Sequence, residues 1–178
     1  MNFSQIIQSH LDGHLASAEK LRAQSGFIEE LAHRVIAGLE SGKKVIFFGN
    51  GGSAADAQHL AAEFVVRYRR NRRALPAIAL STDTSILTAG ANDFGFESIF
   101  ARQIEALADE GDIVIGISTS GSSANVIAAL QAAKAKRCLT VAFTGSVPGP
   151  CSELADLTFH APSEITAHVQ ECHITAGH

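Results

Sequence analysis

The chain has 178 residues, a hydrophobic content of 46% and a formal net charge of −4. That length suits one complete core and leaves two independent domains cramped. The mildly acidic balance excludes a global electrostatic case for nucleic acid or an anionic membrane as the main partner, and leaves small polar ligands open.

The opening "MNFSQIIQSHLDGH" has neither a basic leader nor a continuous apolar stretch, and no apolar run reaches membrane-spanning length. A cytoplasmic protein with no membrane partner is therefore expected. Helical periodicity fills about the first forty residues: Ile6, Ile7 and Leu11 share one face, and Ile28, Leu31, Val35, Ile36 and Leu39 share another. "SGKK" breaks that pattern, and "VIFFG" reads as a buried strand because it is short, apolar and partly β-branched. A helix follows from about Ser53. "AIAL" predicts a second strand, with helical material from Thr84 to Leu107, and "DIVIGI" a third. After another glycine and serine loop come the helix "SANVIAALQAAKAK", the strand "LTVAFT" and a weaker fifth strand in "ADLTFHA". Parallel strands need long crossovers, so this alternation predicts a three-layer α/β domain. "EITAHVQECHITAGH" begins a last helix with no clear cap or polar tail, so a natural terminus at His178 is not expected. Cys138, Cys151 and Cys172 are odd in number and lack the pairing of a zinc ribbon or redox motif, which predicts reduced packing residues.

Two loops carry candidate chemistry. In "GNGGSAADAQHLAAEF", Gly49, Gly51 and Gly52 permit tight turns and close ligand approach, ahead of the unpaired amides of a helix start. Ser53 suits a helix cap and Asp56 a capping-box acid, a wholly structural alternative. The spacing is neither that of a dinucleotide fold nor that of a Walker loop. In "GISTSGSSANV", Ser118, Thr119, Ser120, Ser122 and Ser123 fall within six positions. Such hydroxyls and helix-start amides suit a phosphorylated metabolite, or else ordinary turn and cap chemistry. Both loops sit at strand C-termini, where an open sheet gathers its ligands.

His59 and Glu63 lie four residues apart on one helix face, as a joint metal site or as a partly exposed polar pair. "RYRRNRR" reads as a solvated helix end or an interface before a nucleic-acid site. Gln170, Glu171, His173 and His178 are further candidates for acid, base or metal work. Spacing does not choose among them, and helix geometry puts His173 nearer the Gln170 face than His178. His10, His14, His33 and His160 have no comparable local company and read as solvent, interface or core residues.

The segments "GNGGSAADAQHLAAEF", "RYRRNR", "PAIAL", "ANDFGFESIF", "EGDIVIGISTSGSSANV" and "VQECHITAGH" closely resemble the sugar isomerase (SIS) family and, within it, the phosphoheptose isomerases. The resemblance implies an αβα sandwich with a five-stranded parallel sheet in flavodoxin-like order. It implies one SIS domain over 1–178, with 1–41 packing the oligomer and 42–178 forming the core. It implies a homotetramer with active sites between subunits, acting on sedoheptulose 7-phosphate to make glycero-manno-heptose 7-phosphate for ADP-heptose and bacterial surface polysaccharide. By motif position, Ser118, Thr119, Ser120 and Ser123 would cradle phosphate, Asn50, Gly51, Gly52 and Ser53 would line the substrate, and Asn92 and Asp93 would face sugar hydroxyls. The acid/base pair would fall on Glu63 and His178, and the ligands of one zinc per subunit on His59, Glu63, Gln170 and His178. Departures are Ser122 in place of the usual asparagine, His168 where arginine is common, and a short final helix. The rival readings are a non-catalytic SIS protein that binds the replication initiator DnaA, which would lack the glutamate and final histidine, and an isomerase of another sugar phosphate.

Overall fold

The computed structural model describes residues 2–178. Two helices, α1 (Phe3–Leu21) and α2 (Ser25–Glu40), come first and are joined by a single 3₁₀ turn. Then follow β1 (Val45–Gly49), α3 (Gly52–Val65), β2 (Ala77–Ala79), α4 (Thr84–Phe94), α5 (Ile99–Leu107) and β3 (Ile113–Ile117). The chain ends with α6 (Ala124–Ala135), β4 (Leu139–Thr144), α7 (Pro150–Leu154), β5 (Leu157–His160) and α8 (Thr166–Gly177). No helix among the described residues is long and apolar enough to cross a membrane.

The five strands form one sheet in the order β2-β1-β3-β4-β5, and every pairing is parallel. This is the expected flavodoxin-like arrangement. The reason lies in the strands themselves. Every residue of β1 and of β3 is buried, because successive side chains feed opposite faces and both faces are covered. Val45, Phe47, Ile113 and Ile115 face α2, α3 and α8, packing with Leu31, Val35, Leu60 and Val169. Ile46, Phe48 and Val114 face the other way, onto Ile99, Phe100, Ile104, Val126 and Leu130 of α5 and α6.

One expectation needs correction. The helical run from Thr84 to Leu107 is interrupted: α4 stops at Gly95, whose φ of 85° lies in the left-handed region, and a 3₁₀ turn at Phe96–Ser98 precedes α5. The apolar face expected on the first helix exists and lies outside this chain's core, as a segment expected to pack an oligomer would. Phe3, Ile6, Ile7, Leu11 and Leu15 are each at least 50% exposed, and only Ser17 and Leu21 of α1 are buried. On α2, Leu31, Val35 and Leu39 are buried as expected, while Ile36 points outward. The three cysteines are free and buried, which agrees with their reading as packing residues.

Candidate active site

The β1–α3 and β3–α6 loops leave the C-terminal ends of adjacent strands, on the two sides of the point where the sheet order turns. At the first loop the chain reverses at Gly51, where φ is 56° and ψ −121°, a backbone state that only glycine adopts without strain. Gly51 is itself the residue preceding α3, and no side chain caps the helix. Ser53 therefore does not perform its expected capping role: it lies inside the first turn, buried. Asp56 is not a capping acid either. Its Oδ1 accepts a hydrogen bond of 3.1 Å from Gln170 Nε2, and its Oδ2 is buried without a partner. Burial pushes the Asp56 carboxyl up from the usual range, against the pull of the Gln170 hydrogen bond and of His59.

Asn50 does not stand free in the first loop. Its amide exchanges two hydrogen bonds of 2.8 Å with Asn125, one in each direction, and Asn125 is only 3% exposed. This pair ties the first loop to the start of α6. Asn125 was not singled out from sequence. The available signal was its place as the one carboxamide in the run that closes the serine loop.

In the second loop Ser118 Oγ lies 2.9 Å from Ser123 Oγ and 3.4 Å from Ser120 Oγ, and Ser122 donates to Ser120 Oγ over 3.1 Å. The Thr119 carbonyl accepts from Gly145 N, which anchors the loop to the end of β4. Four hydroxyls thus converge at the start of α6. Ser123 precedes that helix and its side chain makes no cap bond to the first-turn amides.

The third group forms where α3 meets α8. Gly52 lies beside Gln170 and Leu60 beside Gly177, so the two helices run side by side in the same sense. Their far ends bring His59 Nε2 to 2.8 Å from His178 Nε2 and 3.4 Å from Glu63 Oε1. One donor atom each from His59, Glu63 and His178 fits within a 4.8 Å cluster. Tyr68 stacks on the His178 ring, with centroids 5.1 Å apart and planes 9° from parallel. Arg72 donates to the Glu63 and Phe64 carbonyls over 2.8 Å each, closing the C-terminal end of α3. Neither Tyr68 nor Arg72 was assigned a role from sequence beyond an exposed arginine-rich helix end.

The remaining candidates are placed apart from this group. Gln170 gives its amide to Asp56, one turn short of the trio. Asn92 and Asp93 are exposed near the end of α4, bonded to one another over 2.7 Å. His173 is fully buried beside Phe143 and Phe159 and donates to the Thr144 carbonyl over 2.9 Å. That leaves its Nδ1 without a partner, and burial pushes its pKa down to about 4. The two histidines of the last segment thus differ in kind: His173 is a neutral core group and His178 is exposed at the cluster. His10 and His14, which had no company in the sequence, meet His168 and Glu171 across α1 and α8.

A carboxylate and two imidazoles at these separations can exchange protons with a bound molecule or bind a cation, and the hydroxyl cluster offers donors to an anion. A family model described as SIS domain matches residues 11–145. The phosphoheptose isomerase of Roseiflexus sp. (strain RS-1) is 56% identical over 158 residues, covering 89% of this chain and 80% of that one. The phosphoheptose isomerase of Aquifex aeolicus is 52% identical over 167 residues, covering 90% and 87% respectively. Among solved structures, a phosphoheptose isomerase from Francisella tularensis superposes with a TM-score of 0.96 at 32% identity, covering 99% of this chain and 95% of that one.

Proposed function

The chain belongs to the SIS-domain family, among the phosphoheptose isomerases, and from that premise we propose how its residues divide the work. The reaction interconverts the ketose sedoheptulose 7-phosphate and the aldose D-glycero-D-manno-heptose 7-phosphate. From ketose to aldose, a proton leaves C1, an enediol forms, and a proton returns to C2 while the oxygen-bound proton passes from O1 to O2. One group must handle carbon-bound protons and one the oxygen-bound protons. We assign the first task to Glu63 and the second to His178. The observation that carries this assignment is the meeting of His59, Glu63 and His178, drawn from α3 and from the last residue of the chain, 119 positions after His59.

Phosphate goes to Ser118, Thr119, Ser120 and Ser123, whose hydroxyls and helix-start amides suit a monoester without a lysine. Asn50, Gly51, Gly52 and Ser53 line the sugar from the first loop, with Gln170 beside Gly52. Holding the phosphate far from the reacting carbons fixes their orientation, so that binding energy is spent on the transition state. The donor set of His59, Glu63 and His178 would hold one zinc ion per subunit, with Gln170, here bonded to Asp56, proposed as the further ligand. When bound, the ion supplies polarisation of the sugar oxygens and stabilisation of negative charge on them.

We read residues 1–178 as one SIS domain that assembles as a homotetramer with its sites between subunits. The uncovered apolar face of α1 supports this, as does the exposed position of Asn92 and Asp93, which suits hydroxyl contacts made across an interface. A cytoplasmic setting and a product destined for ADP-heptose follow from the same reading.

The test is kinetic. Glu63→Gln and His178→Gln each abolish isomerisation of sedoheptulose 7-phosphate while leaving inorganic phosphate affinity within a factor of two or so. Turnover retained in either variant, or a preference for fructose 6-phosphate over the seven-carbon ketose, overturns the assignment.

A further inference from the structure

We propose that a second divalent-metal site lies between α1 and α8, formed by His10, His168 and Glu171, with His14 holding the Glu171 carboxylate in place. It is separate from the cluster on α3 and does not rest on the isomerase reading.

The two helices present matched pairs. His10 and His14 stand one turn apart on α1, and His168 and Glu171 stand three residues apart on α8, so each pair shares one helix face. His168 Nε2 lies 3.2 Å from His10 Nδ1, His10 Nε2 lies 3.7 Å from Glu171 Oε1, and His14 Nδ1 lies 2.7 Å from Glu171 Oε2. One donor atom from each of His10, His168 and Glu171 falls within 4.8 Å of the others. Tetrahedral zinc with ordinary ligand lengths needs donor separations of about 3.4 Å. The remaining gap is closed by turning the half-exposed His10 ring, which now packs on the His168 ring with centroids 4.7 Å apart.

His168 is held by packing. It is 2% exposed, and its ring lies so close to α1 that a methyl group on Gly13 would sit 2.4 Å from His168 Cε1. The helix crossing is thus shaped around this imidazole, which fixes its direction before any ion arrives. His14 plays the supporting part, since a hydrogen bond to the far oxygen of a ligating carboxylate sets its orientation. A cleft of about 450 Å³, lined by His10 and His168 together with Gln5, Ile6, Ser9 and Ile165, borders the two imidazoles and gives an ion its entry path and a water room as fourth ligand. Two imidazoles and a carboxylate select zinc, cobalt or nickel over calcium or magnesium.

The consequence is mechanical. α8 also carries Gln170 and leads into His178, so an ion on Glu171 pins that helix to α1 at a point one turn from the exposed Ile6.

The test uses Zn²⁺ and Co²⁺ on metal-free full-length protein. A variant with His59→Ala and His178→Ala, which lacks the α3 cluster, still binds one equivalent of Zn²⁺ per chain by calorimetry and gives a Co²⁺ d–d spectrum of tetrahedral intensity. Adding His10→Ala and Glu171→Gln to it lowers affinity at least tenfold and abolishes that spectrum, while His14→Ala alone weakens binding less. His10 and Glu171 are not core residues, and circular dichroism checks that the variants fold. No binding in the His59/His178 variant, or binding unchanged by His10→Ala with Glu171→Gln, shows a hydrogen-bonded histidine cluster only and overturns the proposal.

Discussion

The Asn50–Asn125 amide pair is a joint between the two ligand loops, and its contribution is open to direct measurement. Each residue donates to the other over 2.8 Å, and the two sit differently: Asn125 is 3% exposed and Asn50 is half-buried. A neutral hydrogen bond contributes about 1 kcal/mol net, whereas a buried polar group stripped of its partner costs about 1–3 kcal/mol. Asn50→Ala strands the buried Asn125 amide and is expected to destabilise the fold by about 2–3 kcal/mol. Asn125→Ala leaves an Asn50 amide that reaches water, so its cost of about 2 kcal/mol is mainly that of two lost bonds. The double variant is therefore no worse than Asn50→Ala alone, which gives a coupling energy of about 2 kcal/mol from a double-mutant cycle. Urea denaturation of the four proteins reads this quantity, with the slope of the transition watched for changes in the unfolded state. Additivity to within about 0.5 kcal/mol refutes the reasoning, since it means the two amides do not depend on one another.

Other outcomes follow from the same geometry. His173 is held neutral by burial, its pKa depressed to about 4 from 6.5, so stability is whole above pH 6.5 and falls as pH drops toward 4. The loss amounts to about 3 kcal/mol, read as the difference between the wild-type chain and His173→Leu in how far the unfolding free energy falls across that window. Gly51→Ala forces a side chain into a left-handed state and costs about 1–3 kcal/mol, with a rise in KM if the first loop lines the sugar. The thiols of Cys138, Cys151 and Cys172 are pushed up by burial, Cys151 to about 11, so none reacts with Ellman's reagent until the chain unfolds. Ile7→Lys with Leu11→Lys leaves the monomer fold intact but lowers the mass seen by light scattering, because both side chains are exposed on α1.

The central strands were legible because they are buried on both faces, and "VIFFG" or "DIVIGI" has no polar side to make its period ambiguous. The break between α4 and α5 was missed although Gly95 announced it, since helix-like composition continues on both sides of that glycine. Helix geometry favoured His173 over His178 as the partner of Gln170. In the structure His173 faces the sheet, Gln170 bonds Asp56, and the end of α8 turns His178 onto α3. His178 was reachable only through resemblance. His14 and Glu171 stand 157 residues apart, and nothing local to either announces the other. Tertiary meetings of single polar residues leave no periodic trace in a sequence. Repeated apolar positions do, and so the layers could be read while the hydrogen bonds could not.

The strand β2 has a meaning apart from catalysis. It pairs through three residues only, follows Pro76, and is preceded by the exposed arginines of 67–73. A foreign strand docking on that border would find too few free amides to register on, and a run of like charges in the segment leading into it. The border therefore guards against sheet-to-sheet aggregation, an asset for a protein whose first helix already displays so much apolar surface.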